Sequence, residues 1–140
     1  MKSPELEAAF MATVYRVEAP NEYFNLRIDV PHAGFSRFLA VSGYSGWGLV
    51  TAWNPCGRLD SPAKNEARAT ALKREIETGG WRFHPASHHA DQESWPVEQG
   101  FCVFNAPPGT LHLLARRFSQ LAFVYGLPDG YPRLRWVEEK

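Results

Sequence analysis

The sequence predicts an α+β fold with a mixed, mostly antiparallel sheet and helices largely on one face of that sheet. Segments with helical periodicity and helix caps are interspersed with segments that alternate apolar and polar residues or are apolar throughout. Over residues 46–127 these segments follow the order β-α-β-β-α-β, which is typical of a ferredoxin-like core. The residues before 46 add an N-terminal α-β extension.

Length and composition indicate one globular unit. The chain has 140 residues, of which 44% are hydrophobic, and this is enough to bury a core without metal or disulfide support. We see no repeat, low-complexity segment or internal linker. Residues 1–140 are therefore predicted to form a single domain.

The N-terminal extension begins with a helix signature. Ser3 is a favoured N-cap and Pro4 a favoured first helical residue, so a helix is predicted over residues 3–18. Residues 23–30 alternate apolar and polar side chains, which predicts a half-buried strand. A short helix over residues 35–43 is predicted to end at a glycine.

The remaining segments carry the same signals. Pro85 predicts that the strand containing it lies at a sheet edge or is broken, and residues 88–94 are predicted to form a turn or loop. Pro107 and the two residues after it lead into a helix. Strands are predicted at 46–54, 81–87, 98–106, 120–127 and 132–139, and the best helix at 61–78.

Charge and targeting signals exclude some classes of function. The 15 basic and 15 acidic residues balance, which disfavours nucleic-acid binding. Cys56 and Cys102 lack a C-x-x-C spacing and are predicted to be free thiols in a reducing cytoplasm. We find neither a signal peptide nor an apolar run long enough for a membrane span, so a cytoplasmic location without membrane attachment is expected.

A histidine-rich stretch is a candidate metal site. His84, His88 and His89 lie close to two acids, Asp91 and Glu93. A spacing of four residues would place His84 and His88 together on a helix, but Pro85 disfavours a helix there. A solvated loop is the favoured interpretation, and we predict neither a metal nor a cofactor.

The strand ending in Trp53-Asn54-Pro55 precedes a helix with polar residues on its inward side. Asn65 and Arg68 continue the apolar stripe of this helix toward its N-terminus. Asn54 ends the strand, near the unpaired N–H groups of the helix start. We therefore expect Asn54, Asn65 and Arg68 to converge on one polar spot. Ligands of α/β sheets often bind beyond the C-terminal ends of strands, so this spot is a candidate ligand site.

A purely structural role accounts for the same residues. Asn54 can hold a turn through its side chain, and Arg68 can pair with Asp60 or Glu98. The sequence leaves both roles open.

Three stretches carry a family resemblance: "TAWNP…N..R...L", "W..E..F.VF" and "RRFSQLAFVYG". They resemble the bacterial Domain of Unknown Function 3293 family over roughly residues 8 to 134. In the second stretch the acid is Glu98, which follows Trp95-Pro96-Val97. In the third stretch Gln120 is followed by Leu121. The matching positions are Trp53, Asn54, Pro55, Asn65, Arg68, Trp95, Glu98, Phe118 and Gln120. The family has no assigned activity, and the resemblance implies that Glu98 and Gln120 join the polar cluster.

The expected site combines bidentate hydrogen-bonding groups with two indole rings, Trp53 and Trp95. Such a set suits a small polar or planar, nucleotide-like ligand, and it equally suits a peptide. No candidate nucleophile has a nearby histidine, so the sequence does not decide whether the protein is an enzyme. The alternative is a non-enzymatic interaction or regulatory module that binds a protein partner. The expected site residues are Trp53, Asn54, Asn65, Arg68, Trp95, Glu98 and Gln120.

Overall fold

A computed structural model describes residues 2–137, in which four helices alternate with seven strands. Their bounds in chain order are α1 (Pro4–Ala12), β1 (Val14–Glu18), β2 (Tyr23–Leu26), α2 (Ala33–Ser42), β3 (Trp47–Thr51), α3 (Pro62–Thr78), β4 (Arg82–His89), β5 (Glu98–Phe104), α4 (Pro108–Arg117), β6 (Ala122–Gly126) and β7 (Arg133–Trp136).

All seven strands form one sheet in the order β2-β1-β4-β5-β3-β6-β7, and every neighbouring pair is antiparallel. Strands β3 and β4 therefore run in the same direction with β5 between them, as in a split β-α-β unit. The α+β class and the antiparallel sheet are confirmed. The ferredoxin-like assignment of residues 46–127 stays a prediction with which this strand order agrees.

Two apolar clusters cover the two faces of the sheet. On one face, Leu72 and Ile76 of α3 and Leu111 of α4 pack with β3 and β5 residues. On the other face, Phe35 of α2 packs around Trp47 of β3. Helices α3 and α4 lie on one face of the sheet, whereas α1 and α2 of the N-terminal extension cover the opposite face. The predicted placement of helices largely on one face therefore applies to residues 46–127 and not to the whole sheet. Both faces need cover because every residue of β3 is buried.

Helix α3 begins, and helix α2 ends, where the capping residues predicted. The Ser61 hydroxyl accepts a hydrogen bond from the Lys64 backbone N–H at the start of α3. Gly43 ends α2 with a φ of 74°, a conformation that glycine adopts without strain. None of the described helices is both long and apolar enough to cross a membrane.

The N-terminal segment differs from its prediction. The helix over residues 3–18 was wrong beyond Ala12, because Thr13 is extended and its hydroxyl donates to the Ala9 carbonyl. Residues 14–18 form β1, whose burial alternates and whose β-branched and aromatic residues favour a strand. The strand predicted to reach residue 30 ends at Leu26.

Strand β4 runs through the predicted break at Pro85. Pro85 pairs with Phe101 of β5, whereas pairing with β1 stops one residue later, at Ala86. The missing N–H of proline therefore lies where β1 offers no partner. As a result His88 and His89, predicted in a turn, belong to the strand.

Gly100→Ala should destabilise the fold, because a Cβ at this position would lie 2.5 Å from the Val50 carbonyl oxygen. The contact is with backbone of the neighbouring strand, which cannot move aside cheaply. We expect a loss of about 2 kcal/mol in the free energy of unfolding, measured by chemical denaturation.

Gly109→Ala is the matched control, since nothing lies within 4 Å of the added Cβ. Its stability should equal or exceed that of the wild type. Equal losses for both alanine variants would contradict the assigned register of β3 and β5.

Candidate functional site

The end of β3 is shaped by Asn54, which adopts a left-handed conformation with φ 49° and ψ 63°. Asparagine tolerates this conformation better than most residues. The Asn54 backbone N–H donates to Oδ1 of Asn65 at 2.8 Å. The chain thereby turns sharply from β3 toward Pro55, and α3 is tied to the turn.

The Asn54 side chain joins three parts of the chain. Its amide Nδ2 donates to Oε2 of Glu98 at 2.9 Å. Its Oδ1 accepts from Asn65 Nδ2 and from the Asp60 backbone N–H, both at 2.9 Å. Because Asn54 and Asn65 are both buried, these bonds satisfy groups that water cannot reach.

Arg68 of α3 holds the Asn54–Asn65 pair in place from the helix side. Its Nε donates to the Ala52 carbonyl at 3.2 Å, and its guanidinium donates to Asn65 Oδ1 at 2.8 Å. The same guanidinium pairs with Asp60 at 2.7 Å. The hydrogen bond from Arg68 holds the pKa of Asp60 below its ordinary value. Of the two acids expected as partners of Arg68, the structure therefore selects Asp60.

Glu98 is the first residue of β5 and the second acid of the network, beside Asp60. Its Oε2 accepts hydrogen bonds from Asn54 Nδ2 and from Trp95 Nε1, the latter at 3.0 Å. Burial raises the pKa of Glu98, and the two hydrogen bonds only partly oppose this rise. Within residues 2–137, Glu98 forms no salt bridge with a Lys or Arg.

A cleft of about 640 Å³ opens between α1 and this end of the sheet. It exists because α1 contributes the small side chains Ala8, Ala9 and Ala12, and because no α1 residue is buried. We call it the α1 cleft. Its lining consists of Glu5, Leu6, Ala8, Ala9, Phe10, Ala12, Thr13, Tyr15, Asn54, Gly57, His88, Ala90, Asp91, Gln92, Trp95, Glu98, Gln120 and Leu121.

A row of three side chains crosses the floor of the α1 cleft. Tyr15 pairs in register with His88, and His88 pairs with Glu98, so the three lie side by side on one face of β1, β4 and β5. The Tyr15 and His88 rings meet edge to face, with centroids 4.7 Å apart.

His88 is held neutral in this row. Its Nε2 is buried and has no hydrogen-bond partner. Burial, and secondarily the neighbouring His89, lowers the pKa of His88 to about 4. At neutral pH, His88 therefore presents an uncharged imidazole to the α1 cleft.

The seven expected site residues separate into four that line the cleft, two that support it, and Trp53. Asn54, Trp95, Glu98 and Gln120 line the α1 cleft. Asn65 and Arg68 lie on the other side of Asn54 and support it. Trp53 contributes its carbonyl, which accepts from Gln120 Nε2 at 3.0 Å, while its own indole N–H is buried without a partner.

Sequence reasoning missed Tyr15 and His88. Tyr15 and Val17 alternate with Arg16 and Glu18, which is a strand pattern. The helical spacing of the preceding apolar residues predicted the end of a helix there instead. His88 shares a face with Ala86, and this period of two was hidden by Pro85. Each error in an element therefore removed one residue from the expected site.

The chemistry available in the α1 cleft is proton transfer and hydrogen bonding. His88 and Glu98 are an acid–base pair in principle, whereas the residues that line the cleft include no Ser, Cys or Lys as a nucleophile. Within the described part of the chain, no group of three or more His, Cys, Asp or Glu could hold a metal ion. His84 and His88 are four residues apart along a strand, roughly 13 Å, which is too far for a shared metal.

Asn65→Ala should destabilise the fold strongly. It leaves the buried Asn54 N–H unpaired and removes one of the three acceptors of Arg68. We expect a loss of about 3 kcal/mol in the free energy of unfolding by urea titration. Asn25→Ala is the control, because exposed Asn25 makes one hydrogen bond, to Arg16, and should cost less than about 0.5 kcal/mol. Similar losses for both variants would contradict a buried network.

His88 should make stability depend on pH. Its pKa is about 4 in the folded chain against an ordinary 6.5, so the unfolded chain binds more protons between these values. The contribution is fully present above pH 6.5 and is lost as the pH falls toward 4, by about 3 kcal/mol.

His88→Phe keeps a ring against Tyr15 and cannot titrate, so its unfolding free energy should fall less steeply over this range. The matched control is His89→Phe, on the opposite face of β4, which should keep most of the acid-side loss. If the unfolding free energy of His88→Phe fell with pH as steeply as that of the wild type, His88 would not be buried in its neutral form.

A family model described as "Protein of unknown function (DUF3293)" matches residues 50–123, which is more than half of the 140 residues. The matched range is shorter than the expected 8–134; it contains His88 and all seven expected site residues and excludes Tyr15 and α1. Searches of curated proteins and of solved structures gave no match. The chain therefore belongs to the DUF3293 family of proteins of unknown function.

Proposed function

We propose that this protein binds a small, planar, polar ligand in the α1 cleft. The observation that carries the proposal is the position of Asn54, Trp95, Glu98 and Gln120, which all line one cleft of about 640 Å³. This volume lies within the range of roughly 300–1,000 Å³ that is usual for small-molecule sites.

The walls and the floor of the α1 cleft differ in character. Leu6, Phe10 and Leu121 provide apolar wall, and Trp95 adds an aromatic ring. The floor carries the polar row of Tyr15, His88 and Glu98, with Asn54 bonded to Glu98. An apolar wall with a few fixed polar groups is the usual composition of a ligand site, and it suits the base rather than the phosphates of a nucleotide-like ligand.

The polar floor is fixed before a ligand arrives. Asn54 is held by Asn65 and Asp60, and Glu98 is held by Asn54 and Trp95. A site whose side chains are already ordered loses less entropy on binding. In this proposal Asn65 and Arg68 support the site without contacting the ligand.

The setting that we propose is the bacterial cytoplasm. Cys56 and Cys102 are both free thiols, one exposed and one buried, which supports a reducing compartment. The proposal is one of binding, in which Glu98, Asn54 and His88 act as hydrogen-bonding groups; the cleft lining contains no Ser, Cys or Lys.

The test is a thermal-shift screen of the purified chain against bases, nucleosides, other planar heterocycles and flat aromatic amides. A ligand that binds only the folded chain raises the melting temperature by mass action. Each hit is repeated on Ala9→Phe, which adds a ring to the wall of the α1 cleft. We expect the shift to fall at least fivefold in this variant.

Met11→Phe is the matched control, because Met11 lies on α1 but does not line the cleft. It should keep the full shift. Hits that survive Ala9→Phe, or no hit in the whole panel, would contradict the proposal. The interaction-module alternative would then be tested by capture of a protein partner.

A further inference from the structure

We propose that the α1 cleft selects a planar cation that carries N–H donors, of the amidinium or guanidinium type, through Glu98 and His88. This inference rests on the proposed function and names the class of its ligand. It also excludes ligands whose main charge is a phosphate or carboxylate.

The charges around the α1 cleft have one sign. Glu5 of α1, Asp91 after β4 and Glu98 of β5 all line it. No Lys or Arg is among the described residues that line the cleft. An anion in the cleft would meet three acids and no Lys or Arg among the described lining residues, whereas a cation would be attracted by all three acids.

Glu98 makes the attraction specific. A buried carboxylate is costly unless a cation or several hydrogen bonds compensate it. The hydrogen bonds from Asn54 and Trp95 reach the same oxygen, Oε2, and no described Lys or Arg pairs with Glu98. A bound cation would supply the missing charge, and its N–H groups would reach the second oxygen.

His88 supplies a second acceptor beside Glu98. Its buried Nε2 lacks a partner, and the tautomer with the proton on Nδ1 makes Nε2 an acceptor. His88 and Glu98 are register neighbours on adjacent strands and both line the α1 cleft. Two neighbouring acceptors match the two parallel N–H groups of an amidinium or guanidinium edge.

The surrounding rings favour a flat cation over a compact ammonium. Phe10, Tyr15 and Trp95 line the α1 cleft. Aromatic faces attract delocalised cations, and a planar group can stack on a ring while its edge donates hydrogen bonds. A compact ammonium group offers no such face.

Three probes of nearly one shape separate charge from shape: benzamidine as the cation, benzamide as the neutral analogue and benzoate as the anion. Binding to the wild-type chain is measured by calorimetric titration at neutral pH. We expect benzamidine to bind at least tenfold more tightly than benzamide, and benzoate to bind most weakly. This comparison needs no variant.

Glu98→Gln keeps the size of the side chain and removes its charge. In this variant benzamidine should lose at least tenfold in affinity, while benzamide should change less than threefold. Glu7→Gln is the matched control, because Glu7 is an exposed acid of α1 that does not line the cleft. It should leave all three affinities unchanged within twofold.

The outcomes distinguish this inference from the proposed function. Benzamidine binding that is tightest in the wild type and lost in Glu98→Gln supports the inference. Equal or tighter binding of benzamide or benzoate in the α1 cleft overturns the inference and leaves planar-ligand binding standing. If none of the three probes binds at millimolar concentration, the inference is overturned, whereas the proposed function stands or falls with the wider thermal-shift panel.

Discussion

The hydrogen bonds of Asn54 are the interaction on which the described site depends. Asn54 follows β3 in a left-handed conformation, binds α3 through Asn65 and binds β5 through Glu98. The two faces of the sheet meet at this point, because Asn65 and Arg68 belong to the helix layer on one face, whereas Glu98 lines the cleft on the other. The cluster is therefore both structural and part of the candidate site: Asn65 and Arg68 only support it, whereas Asn54 and Glu98 also line the cleft.

The α1 cleft follows from an incomplete cover of the sheet. On the opposite face, α3 and α4 bury Leu72, Ile76 and Leu111 against the strands. Helix α1 instead presents alanines, and its attachment relies on residues such as Phe10, whose ring meets Trp136 edge to face. The space between α1 and the sheet places Glu98 and His88 beside a ligand-sized volume. Under the proposed function, their altered pKa values bear on ligand binding as well as on stability.

Much of the fold was predictable because local signals agreed with tertiary packing. The Ser61 cap, the helix-ending Gly43 and the all-apolar β3 gave correct elements, and Asn65 and Arg68 were correctly placed beside Asn54. The errors arose where two elements join without a turn signal. Helix α1 passes into β1 through Thr13 alone, and Pro85 lies in β4 only because β1 pairing has stopped there. Which helix leaves a cleft depends on packing between distant segments, and no local pattern contains that information.

The most direct test of the account is a crystal structure of the chain soaked with benzamidine. We expect density for the ring between α1 and the sheet, with both nitrogens within hydrogen-bond distance of Glu98 and His88, and with Asn54, Asn65 and Arg68 unchanged. Density at another surface, or α1 packed against β1 and β4 with no space between them, would contradict the claim that the Asn54 network supports a ligand site.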